Sequence, residues 1–257
     1  MRKDKPRARS EMARALFESV KRALARLGYD IRRIDPARQQ RSGYTLHTYQ
    51  RADGTFDYEK YKRIQIEGNI RKEDRVWVIE ENIAFLSRYI ERVVGPPSFG
   101  LCHGTRRGLE QAWFKKYLNC HVLGTEISDT AGQYPDTIQW DFHEVKPEWA
   151  GAVDFIYSNA FDHSYDPEKC LDAWMSCLKR GGICILEHSS SHTPAEVSML
   201  DPFGADIAMM PYLIVTWGKG AYGVRQILEA PKRGNDIQYL FFIIVQKWQK
   251  TTLPARP

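Results

Sequence analysis

The chain of 257 residues has only five cysteines, Cys102, Cys120, Cys170, Cys177 and Cys184, and no CxxC pair among them. An odd number without close spacing excludes both a disulfide framework and a zinc site, and a reducing, cytoplasmic compartment is the expectation. Long apolar runs are missing too. The run YLFFIIV near the end has seven residues, against the about 20 a membrane-crossing helix needs. The opening MRKDKPRARS is charged and lacks the continuous apolar stretch of a secretory signal. No repeat and no low-complexity segment is visible, which argues against solenoids and tethers. What remains is a chain with 43% hydrophobic residues, enough for one substantial core with a small appendage.

Acidic residues are scarce at one end. Residues 1–41 hold thirteen Lys/Arg against five Asp/Glu, whereas the whole chain is only +5, so the rest is net negative. Such a segment is either a patch for nucleic acid or another polyanion, or a solvated helix with a frayed tail. Residues 10–27 favour a helix: Met12, Leu16, Phe17, Val20, Ala23, Leu24 and Leu27 recur every three or four positions between a capping Ser10 and a stop at Gly28. Residues 31–56 have no sustained period but carry turn signals at Asp35-Pro36 and Asp53-Gly54, and read as an irregular arm with a short strand or hairpin. A second helix runs through Ile83, Leu86, Ile90 and Val94 and is stopped by Gly95-Pro96-Pro97.

Beyond Pro97 short apolar runs alternate with helical patterns: SFGLC, HVLGTEI, TIQWDF, VDFIYS, GICILEH, GVRQIL and QYLFFIIV. This alternation predicts a doubly wound, mostly parallel α/β sheet with crossover helices. Asp166 and Pro167 open the clearest of these helices. Ligands of such sheets settle beyond the carboxyl ends of the strands, where the first turn must let its backbone come close. That turn is FGLCHGTRRG, with Gly100, Gly104 and Gly108. Cys102 and Arg106 stand where glycine-rich nucleotide loops place further glycines, so the stretch alone reads equally as an ordinary loop. Glu126 closes the next strand and Asp141, between Trp140 and Phe142, closes the third. The first has the chemistry to accept a ribose diol; the second is an acceptor beside an apolar face.

The order GLCHGTRRG, GTEIS, QWDFHE, DFIYSNAFDHSYDP, CLKRGGICILEH resembles the class I S-adenosylmethionine-dependent methyltransferases over residues 97–247. The resemblance implies a Rossmann-like seven-stranded sheet ending in a reversed hairpin, with S-adenosylmethionine as cofactor. It assigns Gly100, Cys102, His103, Gly104 and Thr105 to the methionine end, Glu126 with Ile127 to the ribose, and Asp141 with Phe142 to the adenine. Ser158 and Asn159 then lie near the transferring methyl. A dinucleotide-binding dehydrogenase would also use a glycine turn and Glu126, but leaves Asp141 and SNAFDHS without a role.

A methyl on a sulfonium is already activated, so the enzyme aligns the acceptor and, for a hydroxyl, removes its proton. Asp162, His163 and His188 are the catalytic candidates, with Glu187 and His192 nearby. None has a metal-ligand spacing, and no metal is expected. The insertion 189–223 is long for a connection and carries Met209, Met210, Tyr212, Leu213, Ile214 and Trp217, which either line an acceptor pocket or form a core helix. The expected organisation is a helical arm or lid over 1–95, a methyltransferase domain over 96–250 with the 189–223 insertion, and a tail over 251–257. The expected reaction is O-methylation of a small polar metabolite or a sugar or glycan unit. The alternatives are an RNA methyltransferase using the basic arm and an inactive methyltransferase-like binding protein. Oligomeric state is not legible.

Overall fold

The computed structural model describes residues 36–248 and, before them, positions 19, 20, 23, 24 and 26. The chain divides into two compact units, Met1–Pro36 and Ala37–Pro257. In the first, Ser19, Val20, Ala23 and Leu24 are helical. The rest of the helix expected over 10–27, and the tail at 251–257, lie outside the described residues.

The second unit opens with a hairpin, β1 (Arg38–Arg41) and β2 (Tyr44–His47), followed by α1 (Tyr58–Arg71) and α2 (Glu80–Val94). The alternating part is β3 (Phe99–His103), α3 (Leu109–Leu118), β4 (His121–Glu126), β5 (Thr137–Gln139), β6 (Val153–Ser158), α4 (Pro167–Cys177) and β7 (Leu178–Ser189). A two-residue strand β8 (Phe203–Gly204), helix α5 (Met210–Gly218) and the strands β9 (Tyr222–Glu229) and β10 (Leu240–Lys247) complete it. The large sheet has the order β5-β4-β3-β6-β7-β10-β9. Its first five strands are parallel, and β10 runs antiparallel to both β7 and β9. The sequence runs SFGLC to QYLFFIIV all fall on these seven strands.

Both faces of the sheet are buried, and the period-two alternation of side chains separates them cleanly. Ile183, Ile185, Phe242 and Ile244 meet α2 and α3 through Ile83, Leu86, Ile90 and Phe114. Cys184, Leu186, Ile243 and Val245 meet α4 and α5 through Leu171, Trp174, Leu213 and Ile214. Helix α2 ends as its sequence foretells: Gly95 takes φ 79° and returns its N–H to Glu91 O. In α4 the Asp166 side chain accepts from Lys169 N. The apolar half of the 189–223 insertion is a core helix: Met210, Leu213, Ile214 and Trp217 are buried.

A second, three-stranded sheet, β1-β2-β8, joins the early hairpin to the insertion. Thr45 pairs with Gly204 and Leu46 with Phe203. The same two regions are linked twice more, by Tyr49 OH donating to Met199 O at 2.6 Å and by Gln65 Nε2 donating to Leu200 O at 3.0 Å.

Candidate functional site

The strand order reverses between β3 and β6, and at such a switch point the crossover helices diverge and leave a crevice at the carboxyl ends of the strands. Here it is a cavity of about 580 Å³. Gly104 follows β3, Glu126 ends β4, Asp141 and Phe142 follow β5, Asn159 follows β6, and Ser191 and His192 follow β7, all on its wall. Helix α1 and the 198–201 turn close the opposite side with Tyr61, Gln65, Asn69 and Asp201.

The β3–α3 turn is held by Gly104 N and Thr105 N, both donating to Thr125 O at 2.9 and 3.1 Å. Gly104 has φ 73°, and a Cβ there would come within 2.5 Å of the Ala160 methyl, so no other residue fits without displacing that loop. The turn aims Arg106 N at Glu126 Oε2, 3.2 Å away. The other Glu126 oxygen accepts from Ser128 N at 3.0 Å and from Asn69 Nδ2. Burial nevertheless raises the Glu126 pKa above the usual carboxylate value.

Asp141 is fixed on both oxygens. Oδ1 takes His143 N at 2.9 Å and faces His143 Nδ1 at 2.7 Å; Oδ2 accepts from Tyr58 OH at 2.8 Å. Burial works against ionisation, but the bonds and charge of His143 and the Tyr58 hydroxyl outweigh it, and the Asp141 pKa lies below its ordinary value. His143, fully buried, is itself held low by desolvation; its Nε2 lies 2.8 Å from Ser164 Oγ and its ring stacks on Tyr165 at 3.8 Å.

Across the cavity, His163 sits in a single turn of 3₁₀ helix, Phe161–His163. Gln65 donates through Nε2 to Leu200 O, so its Oε1 is left to meet His163 Nδ1 at 2.8 Å. This fixes the tautomer, with Nδ1–H donating and Nε2 carrying the lone pair. Nε2 lies 3.6 Å from Asp201 Oδ1. Tyr61 OH holds the His163 carbonyl at 3.1 Å. Ligand atoms of Asp162, His163 and Asp201 fall within 4.8 Å of one another, among the described residues the one group with metal-compatible spacing. Trp77 also lines the cavity; its Nε1 donates to Glu187 Oε1 at 2.7 Å, and Tyr157 OH donates to the other Glu187 oxygen at 2.6 Å. Burial raises the Glu187 pKa.

Of the residues expected from sequence, Gly104, Glu126, Ile127, Asp141, Phe142 and Asn159 line the cavity, as do Asp162 and His163. Thr105 lines a smaller cavity beside it. Gly100, Cys102, His103, Ser158 and His188 do not line it. Gly100 lies under the Phe155 ring, where a Cβ would come within 2.2 Å, and Cys102 belongs to the apolar core. His103 is bonded to Thr125 Oγ1 and stacked on Trp174, and Ser158 Oγ donates to His103 O. His188 is buried, and desolvation pushes its pKa down to about 3; as a neighbour of Glu187 on one strand it points to the opposite face. Sequence reasoning missed Tyr58, Tyr61, Gln65 and Asn69 of α1, Trp77, His143 and Asp201. The spacing of Tyr61, Gln65 and Gly68, three buried positions of one helix face, was the available signal, and its polarity hid it.

The profile of the methyltransferase domain family matches residues 101–186. Among solved structures the chain is similar to the 1,6-didemethyltoxoflavin-N1-methyltransferase of Burkholderia thailandensis, solved with 1,6-didemethyltoxoflavin and S-adenosylhomocysteine bound, at TM-score 0.58 and 12% identity over 85% of this chain and 99% of that one. It is also similar to the plantazolicin methyltransferase BpumL, solved with a triazolic desmethyl analogue of its substrate and S-adenosylhomocysteine, at TM-score 0.56 and 13% identity over 74% and 96%. No curated protein sequence matches.

Proposed function

We propose that this chain is a class I S-adenosylmethionine-dependent methyltransferase, a reading supported by the family match over residues 101–186 and by the shared fold, and that it methylates a hydroxyl of a small polar metabolite or sugar unit, with His163 as the base. The observation that carries this reading is the His163 ring: its Nδ1–H is committed to Gln65, and its free Nε2 lies on the cavity side next to Asp201.

The residues present fit the cofactor. Glu126 Oε2 has one backbone donor and a spare lone pair for a ribose hydroxyl, Phe142 offers a flat apolar face beside Asp141, and Gly104 leaves the backbone bare where the chain must pass closest. Gly100, Cys102, His103, Thr105 and Ser158 would act behind this surface, shaping the turn. When bound, S-adenosylmethionine supplies a methyl carried on a sulfonium. The chain's own part is positional and acid–base. Asn159 and Gly104 line the cavity together with Glu126 and His163. His163 Nε2 takes the acceptor's proton, and the Asp201 carboxylate stabilises the imidazolium that forms. Asp162, Glu196 and Asp201 offer acceptors to neighbouring hydroxyls, and Trp77 and Tyr61 offer apolar faces, a combination suited to a polyol. Helix α1 and the 189–223 insertion then choose the acceptor and the sheet holds the cofactor.

The deciding experiment is transfer of a labelled methyl group into extract separated into RNA, protein, glycan and small-molecule pools. Label in the glycan or small-molecule pool, independent of salt, supports the reading. Label in RNA that falls steeply between low and moderate salt, as counterion release demands, would favour the basic arm as a phosphate-binding element. Absence of turnover with every pool would favour a binding protein.

A further inference from the structure

His192 is held through both its ring and its backbone. In the turn that follows β7, Ser189 N donates to His192 Nδ1 at 3.2 Å, and Ser189 Oγ accepts from Ser191 N at 3.2 Å. Ala205 N donates to the His192 carbonyl at 3.0 Å, and the ring packs against those of Trp77 and His188, with centroids 6.1 and 5.5 Å away. An accepting Nδ1 carries no proton, so the proton of the ring is on Nε2. This is the opposite tautomer to His163, whose Nδ1–H is committed to Gln65 and whose Nε2 holds the lone pair. Both residues line the large cavity; one offers it a donor and the other an acceptor.

Each ring stands near a carboxylate at a distance too long for a hydrogen bond. His192 Nε2 is 3.8 Å from Asp162 Oδ2, and His163 Nε2 is 3.6 Å from Asp201 Oδ1. Asp162 lines the cavity as well, and the side chains of His192 and Asp162 keep 8% and 9% of their surface accessible, so a ligand can reach the pair. Among the described residues neither oxygen of Asp162 accepts a hydrogen bond, a costly state for a carboxylate so nearly buried. A group that joins His192 Nε2 to Asp162 Oδ2 must accept from the one and donate to the other through a single atom. An ammonium has no lone pair to offer, and a carbonyl or carboxylate has no proton. A metal ion needs the lone pair that this Nε2 lacks. A hydroxyl does both, and an oxygen about 2.7 to 3.0 Å from each partner spans the gap.

We propose that His192 and Asp162 read a second hydroxyl beside the one that reacts, so that the acceptor is a vicinal diol of which one hydroxyl is methylated. This rests on the reading of His163 as the base. Asp162 and His163 are consecutive, and ligand atoms of Asp162, His163 and Asp201 fall within 4.8 Å of one another, a separation that hydroxyls on neighbouring carbons span with a hydrogen bond at each end. The first hydroxyl donates to His163 Nε2; the second accepts from His192 Nε2–H and donates to Asp162 Oδ2. The reacting hydroxyl gives its proton to His163 Nε2, its oxygen bonds the methyl carbon, and the electron pair of the broken carbon–sulfur bond stays on sulfur, which leaves as a neutral thioether. His192, with its lone pair committed to Ser189 N, is no base, so the tautomers decide which hydroxyl reacts. They also limit the product. A methyl ether turned towards His192 accepts from Nε2–H but has no proton for Asp162, so methylation stops at one group.

Two measurements on the full chain test this. Nitrogen NMR of protein carrying isotope-labelled histidine, at a mildly alkaline pH where a histidine of ordinary pKa is neutral, should find the proton on Nε2 in His192 and on Nδ1 in His163; one tautomer in both overturns the inference. The second uses S-adenosylmethionine with a deuterated methyl group and the glycan and small-molecule pools of an extract, the label being located in the product by fragmentation mass spectrometry. The expected product is a monomethyl ether with a free hydroxyl on a neighbouring carbon. His192→Asn removes the Nε2–H but leaves a side-chain oxygen to accept from Ser189 N. It should lower kcat/KM for that pool about tenfold through the acceptor KM, as loss of a hydrogen bond requires, while affinity for S-adenosylhomocysteine in calorimetry stays within about twofold. A methyl ether with no free hydroxyl on either neighbouring carbon, a dimethylated product, an unchanged acceptor KM or an equal loss of cofactor affinity overturns the inference and leaves hydroxyl methylation standing. Label on nitrogen, or in no pool, overturns both.

Discussion

Each charged side chain on the cavity wall is defined by what already touches it. Glu126 spends one oxygen on Ser128 N and Asn69 and keeps most of the other for a ligand. Replacing Glu126 with alanine is expected to weaken S-adenosylhomocysteine binding by roughly 1 to 3 kcal/mol, the range for hydrogen bonds to a charged group, measured by calorimetry; unchanged affinity would remove it from the ribose. For His163 the expectation is a split between rate and affinity. His163→Ala should lower the turnover rate about a hundredfold or more while cofactor affinity stays within a few fold. Gln65→Leu leaves the Nδ1–H without its acceptor, and should lower the rate and shift its pH profile, because the tautomer is no longer fixed. A rate that survives His163→Ala would mean that the ring only tethers α1. At this scale the sequence was partly legible. Glu126 and Asp141 could be found because strand ends are the natural place for ligand groups. His143 could not, since its value lies in contacts with Asp141, Ser164 and Tyr165 that no local pattern encodes.

Among the elements, those with an apolar stripe were easy to read and the one with a polar face was not. Helix α2 shows its buried Ile83, Leu86 and Ile90 as a stripe, whereas α1 buries Tyr61, Gln65 and Gly68 and exposes Ile70. Its inward face is polar because it covers a cavity rather than a core, so hydrophobic periodicity could not announce it. The small sheet β1-β2-β8 was equally hidden, since the pairing of residues 45–46 with 203–204 depends on the fold that brings them together. This sheet anchors the segment bearing Leu200 and Asp201. Leu46→Asp, which puts a charge into the buried end of β2, should therefore raise KM for the acceptor several-fold more than it changes cofactor affinity, alongside a loss of stability of about 2 to 4 kcal/mol. Steady-state kinetics with both substrates checks this. Equal effects on the two would mean that the small sheet supports the whole cavity.

The whole molecule places several titratable groups where water cannot reach, and its stability should follow pH accordingly. Burial pushes His103 and His188 down to about 3. Their contribution is full above the unfolded histidine value of about 6.5 and is lost as pH falls through the folded values. Glu110 has the opposite sign: a carboxyl raised to about 8 stabilises fully below the unfolded value of about 4.3, and the contribution is lost as pH rises to about 8. Ligand-free protein should thus have its highest Tm near pH 6, with a fall on both sides, and Glu110→Gln should flatten the alkaline fall in scanning calorimetry. An alkaline limb unchanged in that variant would assign it to other groups, Glu126 and Glu187 first. The doubly wound sheet was legible at this scale because its central strands are buried on both faces and its strands read as short apolar runs. The pairing of β2 with β8 bears on the order of synthesis. The turn after β3, the ends of β4 and β5 and the loop after β6 have all left the ribosome by residue 159, but the roof over His163 waits for residue 204 to return to residue 45. A nascent chain therefore carries the loops beside Glu126 and Asp141 some 45 residues before the segment bearing Leu200 and Asp201 is anchored, so that on the proposed reading the cofactor side is complete before the acceptor side.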